Sequence, residues 1–194
     1  MTNKEIRKNE ILKNSIELIH LNGYNGTSVK DITDAASIPK GSFYNYFRDK
    51  EEYAVEALNY YFNETQGDQI ALLEDPTMAP LARIEAFFTG GMKALEEKGY
   101  KYGCLAGNMS EEMADVNPVI GEAAADFHER IKAKIYQNLV EAKDVGALTW
   151  TMPLDTLASF ILSSWQGAML RMKTNNNRQV LDDFYSILVG VLLK

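Results

Sequence analysis

Residues 28–47 read Ser28-Val29-Lys30-Asp31-Ile32-Thr33-Asp34-Ala35-Ala36-Ser37-Ile38-Pro39-Lys40-Gly41-Ser42-Phe43-Tyr44-Asn45-Tyr46-Phe47, and the breaks in this stretch set out an architecture. Ser28 with Asp31 three residues on is a capping-box pattern, which predicts a helix beginning at 28 or 29. That helix is short, because Ser37-Ile38-Pro39 follows and the residue before a proline is pushed out of the helical region. Pro39 suits the first position of the next helix, predicted over 40–47, whose Gly41 leaves space for close backbone approach. Two short helices joined by a tight turn make a helix-turn-helix candidate.

The flanks extend the helical reading. Upstream, 4–22 places Ile11, Leu12, Ser15, Ile16, Leu18 and Ile19 on one side, with Lys4, Lys8, Lys13, Asn14 and Glu17 between them at helical spacing. Asn22-Gly23 is its stop signal, since both residues tolerate the left-handed conformation after a last turn. Downstream, Asp49 can cap a helix from 50 to about 66. Asp75-Pro76 and Ala79-Pro80 break the chain before further helices predicted over about 81–98, 105–114, 119–145, 154–173 and 178–193. No segment alternates apolar and polar residues with period two, so the fold class is all-α. An N-terminal three-helix domain, 1–49, precedes a C-terminal helical bundle, 50–194.

Composition narrows the function classes. With 194 residues the chain can bury a core without disulfide or metal staples, and its one cysteine, Cys104, excludes an internal disulfide. The longest nearly unbroken apolar run, 187–193, falls far short of the ~18 residues that a membrane span needs. The polar, charged start lacks the apolar segment of a secretory signal, so a cytoplasmic location is expected. Charge is uneven: residues 1–50 hold eight Lys/Arg and six Asp/Glu, whereas the whole chain carries a net charge of -7. A locally basic first quarter on an acidic body can still bind phosphates if the body faces away.

The residues on helix 40–47 give that possibility a shape. Phe43 and Phe47 sit four apart and pack inward with Ile32, Ala35 and Ile38, leaving Lys40, Ser42, Tyr44, Asn45 and Tyr46 on the remaining faces. These groups donate to phosphate oxygens or read base edges, and Asn is a good bidentate partner for adenine. Lys50 can approach a phosphate at the N-terminus of the next helix, as can Thr27 and Ser28 at the start of the second. From composition alone, a surface helix carrying ordinary tyrosines remains the alternative.

The segment Gly23-Tyr24-Asn25-Gly26-Thr27-Ser28-Val29, followed by Ile32, Ala35-Ala36, Ile38-Pro39-Lys40-Gly41-Ser42-Phe43-Tyr44-Asn45-Tyr46-Phe47 and Lys50-Glu51, resembles the N-terminal DNA-binding domain of TetR-family repressors. The match covers about residues 6–55. The resemblance implies a homodimeric, cytoplasmic transcriptional regulator, usually a repressor, held on palindromic double-stranded operator DNA and released by a small ligand in the C-terminal domain. With only His20 and His128, a metal site or a His-based catalytic set has few candidates, and no enzyme activity, cofactor or metal is expected. Carried over by position, Thr27, Ser28, Lys40, Gly41, Ser42, Tyr44, Asn45, Tyr46 and Lys50 are the expected DNA contacts.

In the C-terminal domain, Phe88, Met92, Cys104, Asn108, Met109, Met113, His128 and Trp165 are candidate ligand-binding residues, such pockets lying between helices of a bundle. Met and aromatic residues at helical spacing also fit plain core. Tyr102-Gly103-Cys104-Leu105-Ala106-Gly107-Asn108 resembles a segment of TetR-like repressors that respond to electrophiles or oxidants. A helix N-terminus there favours a thiolate, while the other reading is a buried small hydrophobe. Helices 154–173 and 178–193 carry more apolar surface than one core stripe requires, Phe160 and Leu170 lying off the main face, and this favours a homodimer interface. The adjacent pairs Glu51-Glu52, Glu96-Glu97 and Glu111-Glu112 read as solvated surface. An all-α enzyme or carrier, or an adaptor acting only on proteins, are the competing classes; no GxxxxGK, GxGxxG or HExxH motif favours an enzyme.

Overall fold

The computed structural model of the chain describes residues 2–194, and every regular element among the described residues is helical. In order the α-helices are α1 (Asn3–Asn22), α2 (Val29–Ala35), α3 (Lys40–Phe43), α4 (Lys50–Tyr60), α5 (Gly67–Ala71), α6 (Pro80–Glu97), α7 (Leu105–Met113), α8 (Pro118–Asp144), α9 (Leu154–Asn175) and α10 (Gln179–Ile187), with π-helical turns at Tyr61–Thr65 after α4 and Leu188–Leu192 after α10. They gather into two compact units. One comprises the chain up to Thr65 together with Cys104–Phe127; the other comprises Gln66–Gly103 and His128–Lys194.

The first unit is built on well-capped short helices. Ser28 Oγ accepts the Asp31 amide at 3.2 Å and Asp31 accepts the Ser28 amide at 2.8 Å, the reciprocal cap that the spacing predicts for α2. Asp49 caps α4 by accepting the Glu52 amide at 2.8 Å. Each such cap contributes about 1 kcal/mol. The helix expected over 40–47 is shorter: α3 ends at Phe43, and Asn45 and Tyr46 donate to carbonyls three residues back, at Ser42 and Phe43. The segment tightens because Phe43 and Phe47 both turn inward against Tyr53, with ring centroids 5.1 Å and 5.2 Å apart along that chain of contacts. All three rings are fully buried, each worth about 1.5–3 kcal/mol of apolar transfer. Ser15 donates to the Ile11 carbonyl at 2.7 Å, so the Tyr53 hydroxyl 2.7 Å away is the donor to Ser15. Burial pushes that phenol up to about 12, which keeps it protonated.

In the second unit, α6, α9 and α10 share an aromatic centre: Phe88, Trp165 and Phe184 have ring centroids 5.1–5.3 Å apart. Two pieces were not expected from the sequence, α5 and a 3-10 turn at Leu72–Glu74. Tertiary bonds hold them. The buried Asn138 amide donates to the Leu73 carbonyl at 2.8 Å, and Gln69 donates to carbonyls of α6. Ile70 and Leu73 supply the buried face. The segment entering α7 is strained: Gly99, Tyr100, Tyr102 and Gly103 all have positive φ, and Gly103 donates to the Lys101 carbonyl at 2.8 Å to close a γ-turn around Tyr102. A tyrosine in that region costs about 1–3 kcal/mol.

Candidate nucleic-acid interface

The turn from 40 to 47 divides its side chains by exposure. Phe43 and Phe47 are buried, whereas Tyr44 stands 56% exposed, its ring edge-on to Phe43. Lys40, Gly41 and Asn45 are exposed with it, and Ser42 and Tyr46 are half-buried. Gly41 has no duty inside the protein: a Cβ there would meet nothing within 4 Å, and its φ is not positive. The glycine leaves open space at the surface of α3. Ser28 is exposed at the start of α2. Thr27, expected among the DNA contacts, does not join these exposed groups. It is fully buried, and its hydroxyl donates to the Gly23 carbonyl at 2.8 Å, so it shapes the α1–α2 turn and presents no surface to a partner.

Lys50 is half-buried, with its ammonium 4.1 Å from the centre of the Tyr24 ring. Burial pushes this ammonium below the usual lysine range, while the charges of Glu112 and Asp31 act in the opposite direction. Arg48 pairs with Asp49 at 2.8 Å, and Lys30 pairs with Asp34. Asp31 is held below the usual carboxylate range by its bonds from the Ser28 hydroxyl and amide. Asp49 is held down by Arg48 first and the Glu52 amide second.

Residues 104–127 belong to the same unit and supply groups that the sequence did not single out. Glu112, half-buried in the last turn of α7, accepts the Tyr24 amide at 2.7 Å and the Asn25 amide at 2.6 Å. Asn117 caps α8 by accepting the Ile120 amide at 3.0 Å and donates to Glu51 on α4 at 2.7 Å. Glu51 and Glu112 are therefore half-buried bonded groups rather than the solvated surface expected of them, whereas Glu96 is exposed as expected and forms a surface ion pair with Arg178 at 2.9 Å. The available signal for Glu112 is a carboxylate placed against the negative end of a helix, where the dipole disfavours it.

The eight candidate ligand residues fall in two sets. Cys104, Asn108, Met109 and Met113 lie in the first unit; Phe88, Met92, His128 and Trp165 lie in the second. Cys104 is the N-terminal flanking residue of α7 and is buried. Asn108 donates to the His20 carbonyl at 3.3 Å, and Met113 Sδ accepts from the Asn25 amide group at 3.6 Å, so both address the α1–α2 segment. Phe88 and Trp165 belong to the aromatic centre described above, and Gly91 permits it: a Cβ there would stand 3.2 Å from the Trp165 ring. Burial pushes His128 below the usual histidine range, against the pull of Glu129. Among the described residues no three or more His, Cys, Asp or Glu side chains gather as a metal site, and no helix is long and apolar enough to cross a membrane.

A capped short helix, a tight turn, and a second helix bearing exposed polar and aromatic groups beside a bare glycine define a helix-turn-helix DNA-binding protein. Residues 11–57 match the model of the bacterial regulatory proteins, tetR family, and residues 80–188 match that of the tetracyclin repressor-like C-terminal domain. The chain is 35% identical over 171 residues to the HTH-type transcriptional repressor DhaR of Mycobacterium sp. (strain GP1), covering 88% of this chain and 84% of that one. It is 32% identical over 177 residues to the transcriptional regulator AcuR of Cereibacter sphaeroides, covering 90% and 80%. A crystal structure of a regulatory protein TetR from Rhodobacter sphaeroides superposes with a TM-score of 0.85 at 28% identity, over 95% of this chain and 97% of that one. The chain belongs to the TetR family: it is a DNA-binding transcriptional regulator, of a family whose members typically act as homodimers and respond to small ligands.

Proposed function

We propose that this regulator is a cytoplasmic repressor whose first 49 residues dock on one half of a palindromic operator. Lys40, Lys50 and Ser28 contact phosphates, Gly41 admits the DNA backbone, and Ser42, Tyr44, Asn45 and Tyr46 complete the surface. The carrying observation is the division of the 40–47 turn: Tyr44 is 56% exposed beside exposed Lys40, Gly41 and Asn45, while both phenylalanines of the same turn are buried. Residues 50–194 form the regulatory domain, with dimerisation through 154–173 and 178–193. An inducer bound in that domain favours the form that cannot hold DNA, as any effector must. Phe88, Met92 and Trp165 are proposed for a small apolar inducer, and Cys104 at the start of α7 for an electrophilic one. The names of the relatives, one a repressor and both regulators, support this reading over an enzyme.

The lysine roles are tested by substituting Lys40→Ala and Lys50→Ala singly and measuring duplex binding over a salt series. Each substitution is expected to weaken binding across sequences and to reduce the salt slope by about one. Unchanged slopes in both variants would remove these residues from the interface.

A further inference from the structure

The last turn of α7 is an unfavourable place for a carboxylate, because the helix dipole is negative there. Glu112 nevertheless occupies it, and its two oxygens take the Tyr24 and Asn25 amides at 2.7 Å and 2.6 Å. The fit is close. Gly23 has φ +76°, and a Cβ there would stand 2.4 Å from Glu112 Oε2, so glycine is needed both for the turn and for the approach of this carboxylate. The amide held in this way belongs to Tyr24, whose ring lies 4.1 Å from the Lys50 ammonium. A lysine side chain is otherwise free to sample many rotamers, and a fixed aromatic face restricts where its charge can lie.

We propose that Glu112 is a positioning residue for DNA binding, which locks the α1–α2 turn so that the Tyr24 ring presents Lys50 to a backbone phosphate. The proposal rests on the reading of Lys50 as a phosphate contact. Glu112 cannot act by attracting DNA, since its charge has the sign of the phosphates. Removing that charge alone would tighten binding, whereas losing the lock would weaken it. Charge and positioning therefore predict opposite signs, and an exposed neighbour of equal charge, Glu111, separates them.

The experiment compares Glu112→Gln with Glu111→Gln in the full-length chain, using amide hydrogen exchange without DNA and affinity for a random-sequence duplex at low salt. In Glu112→Gln, exchange at Tyr24 and Asn25 is expected to be about tenfold faster than in Glu111→Gln. Its duplex affinity is expected to be about five- to tenfold weaker than that of Glu111→Gln. Tyr24→Leu keeps the amide lock but removes the ring, so it is expected to lose affinity with normal exchange at Asn25; unchanged affinity in this variant overturns the proposal even if Glu112→Gln does not fold. Equal exchange in the two glutamate variants overturns the lock. Faster exchange with affinity equal to that of Glu111→Gln overturns the positioning role alone. Failure of the unmodified chain to bind any duplex would instead overturn the phosphate-contact reading, and this proposal with it.

Discussion

Gly41 shows how much a single residue can say when the protein itself does not need it. A glycine inside a helical turn costs up to about 1 kcal/mol relative to alanine, and here neither φ nor crowding requires one. Gly41→Ala is therefore expected to raise the thermal unfolding midpoint slightly while lowering duplex affinity by about tenfold or more, as the added methyl meets the DNA backbone. Calorimetry and anisotropy on the same preparation check both signs. A variant that is more stable and binds equally well would show that the space at Gly41 serves no partner. Thr27 is the opposite case. Its place in the motif made it an expected contact, yet the hydroxyl bonds to the Gly23 carbonyl inside the turn. A residue's place in a motif does not separate touching a partner from shaping the element that touches it.

At the scale of the elements, caps and breakers were the legible part of the sequence. Ser28 with Asp31, Asp49, and Asn22-Gly23 all stand where their side-chain chemistry places helix ends. The caps carry a pH dependence. Asp31 and Asp49 are held below the usual carboxylate range in the folded chain, so the unfolded chain binds more protons in the window between the two states. Their stabilisation is full above about pH 5 and is lost as pH falls through the lowered folded values. The difference in unfolding midpoint between the unmodified chain and Asp31→Ala is accordingly expected to narrow from about pH 5 to about pH 3. A difference that stays constant over that range would deny Asp31 its capping role. Elements held by distant partners were not legible. The Leu72–Glu74 turn depends on Asn138, 65 residues away in sequence, and the role of Glu112 depends on amides 87 and 88 residues away. Nothing local in the sequence marks such bonds, whereas the helix ends around the 40–47 turn follow from neighbouring residues, apart from its tightening after Phe43 against Tyr53.

For the molecule as a whole, the proposed dimer has a visible surface. Phe160 and Leu170 on α9, and Ile187 and Val191 near the C-terminus, are between 47% and 54% exposed, while their neighbours Leu157, Ile161, Phe184 and Leu188 are buried. A double substitution, Phe160→Glu with Ile187→Glu, is expected to convert a dimer into a folded monomer in sedimentation experiments. Duplex binding should weaken with it, since a palindrome engages two heads about 34–36 Å apart. A double variant that remains dimeric would move the interface elsewhere.

In the proposed function, the exposed side chains of the 40–47 turn read operator DNA. Fluorescence anisotropy with the duplex upstream of the protein's own gene, against a scrambled duplex and over a salt series, tests it most directly. Sequence-selective binding is expected, weakening steeply as salt rises and losing about one unit of slope with Lys50→Ala. Absence of binding to either duplex at any salt, by a folded protein, would contradict it.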